Sequence, residues 1–325
     1  MSGTTRGGPK DGRRRRRGRG EQAVVPDAEF SSYYGRPVLK RPEWQPLDVA
    51  GYLWLGGLAG ASSLLAAGAD VTARPALAHT AKLGAAGAIS LSLAALVHDL
   101  GRPARFLNML RVFKPTSPMS MGSWLLAGYA PLTMAAAAAD VAGRYRIAGA
   151  AATASAAALA PAVATYTAVL ICDTAVPSWH EGFREMPFVF AGSAAASAAG
   201  WALVSAPPGE SGPARRTAVL GAALELGAFR LMQRNMGLAA EAYESGAPRT
   251  WLRAAEGLTA GGALLAARAD RRGRAFAALA GTALLAGSVA LRLGVFHAGV
   301  ASAGDPRYTV VPQRERLTAR SRAGE

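Results

Sequence analysis

Residues Ile147 to Cys172 read IAGAAATASAAALAPAVATYTAVLIC. The stretch holds no charge and exceeds the roughly 20 helical residues needed to cross about 30 Å of hydrocarbon. Three more uncharged runs of this kind occur, Val49 to Ala69, Pro115 to Ala139 and Met186 to Gly209. A soluble core helix rarely needs such runs, and four in one chain specify an integral membrane protein.

Working outward, the composition agrees. The 325 residues are 51% hydrophobic but only 7% aromatic, so the apolar content comes from Ala, Leu, Gly and Val. Small residues let membrane helices approach closely. The mean hydropathy of +0.16 is lowered by polar tails and many alanines. The formal charge of +15 sits largely at the ends, in Arg13 to Arg17, Arg19, Arg307, Arg314, Arg316, Arg320 and Arg322. Basic ends beside apolar spans read as orientation signals and membrane-lipid contacts, so no nucleic-acid partner is expected.

The pattern predicts an all-α membrane protein of about eight transmembrane helices, with two four-helix bundles. Residues 1–46 form a basic, largely disordered tail, 47–300 the membrane domain and 301–325 a polar C-terminal tail. The second span runs from about His79 to Val97, with Lys82 snorkelling at one end and His98 and Asp99 closing the other. The connection from Leu100 to Met121 reads as a short amphipathic interfacial segment ended by Pro115 and Pro118. A basic turn, Asp140 to Arg146, joins spans three and four. Spans six and seven are weaker, because Glu225 and Arg230 interrupt one and only Gly257 to Ala267 is uncharged in the other. Span eight starts at Ala275 and reaches Leu291 or beyond. The even count puts both termini on one side with the long loops, and 11 Lys or Arg in the first 48 residues place that side in the cytoplasm. The basic Arg268 to Arg274 turn argues the other way. No signal peptide is evident, so the first helix directs insertion.

Cys172 alone supports no intrachain disulfide, no iron–sulfur cluster held by this chain and no multi-cysteine zinc site. Of the four histidines, His79 and His98 lie 19 residues apart, about 28 Å along a helix, and so on opposite faces. His180 is in a loop and His297 ends span eight, so a bis-histidine haem within the membrane is not expected. No metal site is expected.

Ionisable groups in membrane segments are functional candidates by default. His98 and Asp99 read either as an interfacial cap, with Asp99 paired to Arg102, or as groups that hydrogen-bond a quinone head and exchange its protons. Tyr166 reads as an aromatic-belt residue or a quinone hydrogen-bond donor. Glu225 reads as a proton relay or as the internal partner of Arg230 or Arg234, with the pairing favoured.

Two connections carry a resemblance. His98-Asp-Leu-Gly-Arg-Pro, continuing through Val112-Phe-Lys-Pro-Thr-Ser-Pro-Met-Ser-Met-Gly-Ser-Trp124, resembles the NrfD/PsrC family of membrane subunits of molybdoenzyme reductases. Tyr166-Thr-Ala-Val-Leu, Asp173-Thr-Ala-Val-Pro-Ser-Trp-His and Pro187-Phe-Val-Phe-Ala-Gly-Ser are similar to the same family. The resemblance implies a haem-free eight-helix anchor in a prokaryotic cell membrane that binds menaquinone or ubiquinone. It also implies docking of a ferredoxin-like iron–sulfur subunit, which contacts a molybdopterin catalytic subunit. Carried over, the quinone pocket falls on His98, Asp99, Tyr166 and Tyr52. Arg102, Lys114, Asp173 and His180 belong to the matching motifs as docking or loop-shaping residues. The long Arg-rich extension departs from the family pattern and leaves the docking face open; a cytoplasmic face suggests a formate dehydrogenase-like partner. Two other classes fit the spans, a secondary transporter and a purely structural anchor without a quinone site, and no internal repeat supports the transporter.

Overall fold

The computed structural model describes residues 38–40, 42, 44–100 and 105–323. The helices are α1 (Pro46–Val71), α2 (Pro75–Asp99), the short α3 (Arg105–Met109), α4 (Pro118–Ala142), α5 (Arg146–Cys172), the one-turn α6 (Pro177–His180), α7 (Met186–Ser205), α8 (Gly212–Asn235), the one-turn α9 (Glu241–Glu244), α10 (Gly246–Arg268), α11 (Arg274–Gly304) and α12 (Arg307–Ala323). No strand occurs among the described residues.

Local chemistry sets the helix ends. Proline stands in the first turn of α1, α2 and α4, where its missing N–H would have had no intrahelical partner. Ser117 caps α4 by accepting from the Ser120 N–H. Gly143, at φ 62°, ends it in the left-handed conformation that glycine adopts without strain.

Among the described residues, eight helices reach 20 residues or more. Six of them, α1, α2, α4, α5, α7 and α11, are long and apolar enough to cross a membrane. α8 and α10 have the length but carry several charges, matching the two weak spans read from sequence. The long helices form two bundles of four: α1, α2, α4 and α5, and then α7, α8, α10 and α11. α1, α7 and α11 meet where the bundles join, and two-thirds of each apolar window is buried, 67% against 33–44% in α2, α4 and α5. The outer helices turn Leu83, Leu91, Met134, Ile147, Leu220 and Leu264 outward, a lipid-facing surface. Glycine permits the closest crossings: a Cβ on Gly60 would lie 2.9 Å from the Ala160 carbonyl, and one on Gly200 2.7 Å from that of Gly281.

Polar groups fasten both faces. At the far face, where α1 ends, Lys82 of α2 reaches Asp70 of α1 at 2.9 Å and Asp140 of α4 at 3.2 Å, and His79 pairs with Asp140 at 2.5 Å. At the near face, where α1 begins, Trp44 stacks on Trp179 with centroids 6.1 Å apart, and the Trp179 indole donates to the Val295 carbonyl at 2.7 Å. Tyr243 donates to the Ser178 carbonyl at 2.9 Å, and burial pushes its phenol well above the usual range. Both ends of the membrane domain therefore lie at the near face.

Candidate functional site

A cavity of about 600 Å³ opens at the near face of the first bundle, between α1, α2, α3, α4 and α5. Leu53, Leu96, Met109, Met119, Leu126 and Leu170 make most of its wall, and Trp44 covers part of its rim. The polar residues lining this largely apolar space include Tyr52, Tyr166, Asp99, Asp173 and Arg105, with the hydroxyl residues Ser117, Ser123 and Thr174.

The two tyrosines and two aspartates are placed by their helices. Tyr52, in the second turn of α1, is buried, and its hydroxyl is hydrogen-bonded to that of Tyr166 on α5. The rings meet edge to face, centroids 6.4 Å apart. Tyr166 fits because α4 has glycine opposite: a Cβ on Gly122 would lie 2.7 Å from the Tyr166 ring. Two hydroxyls sharing one hydrogen bond leave a single O–H free to donate elsewhere. Asp99 ends α2 beside the Gln45 backbone, while Asp173 caps α5.

The other anticipated residues fall elsewhere. His98 is not in the cavity wall: successive helix residues are about 100° apart, so with Asp99 facing inward His98 turns out. It pairs with Asp48 of α1 at 2.8 Å and is 71% exposed. Lys114 has an exposed side chain, and its backbone N–H donates to Ser120. His180 sits on α6, its Nδ1 3.2 Å from the Cys172 carbonyl. Arg102 lies outside the described residues, as does the alternative pairing of Asp99 with it.

The expected ion pair of Glu225 with Arg230 or Arg234 does not form. Five or nine residues along a helix bring a side chain about 140° or 180° around the axis, so neither arginine shares the face of Glu225. Arg230 instead pairs with Glu256 at 2.6 Å, while Glu225 is buried among α7, α10 and α11 and accepts from Thr259 at 2.9 Å.

Two elements escaped the sequence reading. Arg292 is buried in α11, stacked 3.6 Å from the Phe190 ring centroid. An arginine inside an otherwise continuous apolar helix was the available signal. Gly122, which makes room for Tyr166, has no signature in a single sequence.

Residues 43–207 match the family described as polysulphide reductase, NrfD, just over half of the chain. The chain belongs to the NrfD family. That family is one of membrane-anchor subunits of reductase complexes. The NrfD match spans α1 to α7 and so takes in every wall of the cavity, whereas Glu225 and Arg292 lie beyond it. No curated protein matches the chain.

Proposed function

We propose that this NrfD-family chain is the membrane subunit of a quinone-linked redox complex, with the first-bundle cavity as its quinone site. The observation that carries the reading is that the hydrogen-bonded Tyr52–Tyr166 pair and Asp99 line one largely apolar cavity. Its volume lies in the range of small-molecule and cofactor sites, and few, convergent polar groups on an apolar wall are what such sites use. The residues fit a quinone: the leucines and methionines suit an isoprenoid tail, and the free phenolic O–H suits a carbonyl oxygen. When bound, a quinone supplies two-electron, two-proton redox chemistry.

The chain's own residues have distinct tasks. The phenol pair donates the one free hydrogen bond and orients the head group. Asp99, at the exposed rim, exchanges protons between the head group and water. Trp44, docked on Trp179, keeps the rim ordered and apolar. Menaquinone or ubiquinone would be held here by Tyr52, Tyr166 and Asp99, and would supply the electron exchange with a ferredoxin-like iron–sulfur subunit at the near face. That subunit connects to a molybdopterin catalytic subunit of the formate dehydrogenase or polysulfide reductase kind. In this reading the protein lies in a prokaryotic cell membrane, with its termini and near face in the cytoplasm.

Gentle purification from the native membrane, with mass spectrometry of co-purifying subunits and a quinone extract of the same sample, tests this directly. An iron–sulfur protein, a molybdopterin protein and bound quinone are expected. A lone, quinone-free chain would refute it. Asp99→Asn separates a quinone site from a purely structural anchor: it should leave the complex assembled and slow quinone-linked turnover.

A further inference from the structure

The second bundle holds a buried polar cluster, well inside α8 and α11, that the quinone site does not use. Glu225 of α8 and Arg292 of α11 are each 1% exposed. Glu225 Oε1 accepts from Thr259 of α10 at 2.9 Å, and Ser193 of α7, bonded to Ser288 at 2.8 Å, lies beside the carboxyl group. Its Oε2 has no hydrogen bond of normal geometry, and neither have Nε and Nη1 of Arg292, whose Nη2 donates to the Phe190 carbonyl at 3.3 Å. No ion pair within contact distance joins the two groups among the described residues. Uncompensated polar atoms are costly in such surroundings and call for a role or for water.

The approaches to Glu225 differ on its two sides. Toward the near face, a cavity of about 150 Å³ lined by Glu225, Leu226, Phe229, Gln233 and Glu256 adjoins one of about 360 Å³, sharing Phe229, Gln233, Leu252 and Glu256 with it. The larger cavity is edged by Glu244, Arg249 and Arg253. Toward the far face the space closes. Gly192 packs on the Glu225 backbone, a Cβ on Gly221 would lie 2.7 Å from the Ala196 nitrogen, and below them a layer of buried alanines, with Leu203 and Leu284, fills the bundle.

We infer that Glu225 is a proton-exchange site of the second bundle, reached by water from the near face only. Its carboxylate takes a proton from water in the cavity to become the neutral acid, and returns it by the same route. Arg292 supplies the fixed positive charge that makes the ionised form tolerable in the membrane. Among the described residues it is the one charged side chain facing Glu225 from the packed helices, since α7 presents Ser193 and α10 presents Thr259; Glu256 and Arg230 stand further along the cavity wall. Arg292 also touches the first bundle: Nη2 lies 3.5 Å from where a Cβ on Gly57 of α1 would be. The site is thus next to the helix that carries Tyr52, while the inference itself stands apart from the quinone reading.

Thiol accessibility in the full-length chain tests the route without altering Glu225. Leu226→Cys and Gln233→Cys in sided membrane vesicles should react with a membrane-impermeant thiol reagent from the face that labels Glu181→Cys, an exposed near-face position. Ala218→Cys, on the sealed side, should react from neither. Protection of Leu226→Cys and Gln233→Cys, or labelling from the opposite face, would overturn the route. Infrared pH titration of the purified chain tests the proton. A protonated-carboxyl band that titrates in the wild type and is absent from Glu225→Gln is expected. If Glu225→Gln does not fold, Thr259→Val, which removes the donor to Oε1, should shift the same band. A carboxyl spectrum unchanged by the variant that folds would overturn the assignment.

Discussion

Replacing Gly122 by alanine puts the arrangement of the phenol pair to a quantitative test. The new Cβ would lie 2.7 Å from Tyr166 Cε2 and 2.8 Å from Cδ2, where ordinary contact starts at 3.4 Å, so the ring must recede by about 0.7 Å. The Tyr166 hydroxyl moves with it and its bond to Tyr52 is lost or misdirected. One neutral hydrogen bond has a net worth of about 1 kcal/mol, which is roughly a fivefold rise in Kd for the head group. Overpacking itself costs about 1–3 kcal/mol and will appear as a lower Tm. The assay is titration of the purified full-length chain with a short-chain quinone, followed by tryptophan fluorescence, since Trp44 is part of the cavity wall. Gly128→Ala is the control on the same helix, its nearest neighbour being Leu159 Cδ1 at an ordinary 3.8 Å. Unchanged quinone affinity in a folded Gly122→Ala protein would refute the reasoning.

Asp99→Asn should leave the assembled complex intact and reduce quinone-linked turnover by about 100-fold, the lower range for a lost acid–base group, measured as quinol oxidation or quinone reduction in the native complex. Tyr52→Phe and Tyr166→Phe should each weaken quinone binding, and the double variant should do little more than either. A double-mutant cycle on the Kd would expose strict additivity, which would contradict a shared hydrogen bond. Arg230→Ala removes one half of an exposed pair with Glu256 and should change stability by less than about 0.5 kcal/mol, whereas Arg292→Ala empties a large buried site packed on Phe190 and should cost about 3 kcal/mol in denaturant melts. Gly299→Ala drives a methyl into the Trp179 indole; Tm should fall, and loss of the Trp44–Trp179 stack should be visible in near-UV circular dichroism.

The spans were legible because bilayer thickness imposes a length on any apolar run; α1 and α2, each started by proline, begin a few residues before the stretch read from sequence, whereas α4 begins at Pro118, three residues inside its uncharged run. α8 and α10 read weakly because charges interrupt their apolar runs: Glu225 is sheltered by burial against α7, α10 and α11, while Arg230, Arg249, Arg253 and Glu256 stand exposed. The same effect hid Arg292. A charge after Leu291 looks like the end of a span until packing shows that α11 continues to Gly304. In the cavity, Tyr52, Asp99, Tyr166 and Asp173 come together from three helices, a juxtaposition that linear spacing cannot express. The separation of His98 from Asp99 and of Glu225 from Arg230 followed from helical rotation alone and could have been worked out from their spacing.

The Lys82 clamp has a bearing on how the chain is made. A lysine that enters a bilayer alone is costly, but Asp70 precedes it by only twelve residues across the α1–α2 turn, so the two charges meet as soon as that hairpin leaves the insertion machinery. Asp140 arrives later with α4 and takes up a further contact with the same ammonium group, while its other oxygen is held by His79. Docking of α4 thus gives Lys82 a second carboxylate and His79 its carboxylate partner, so the far-face charges of three helices are joined only once α4 is in place.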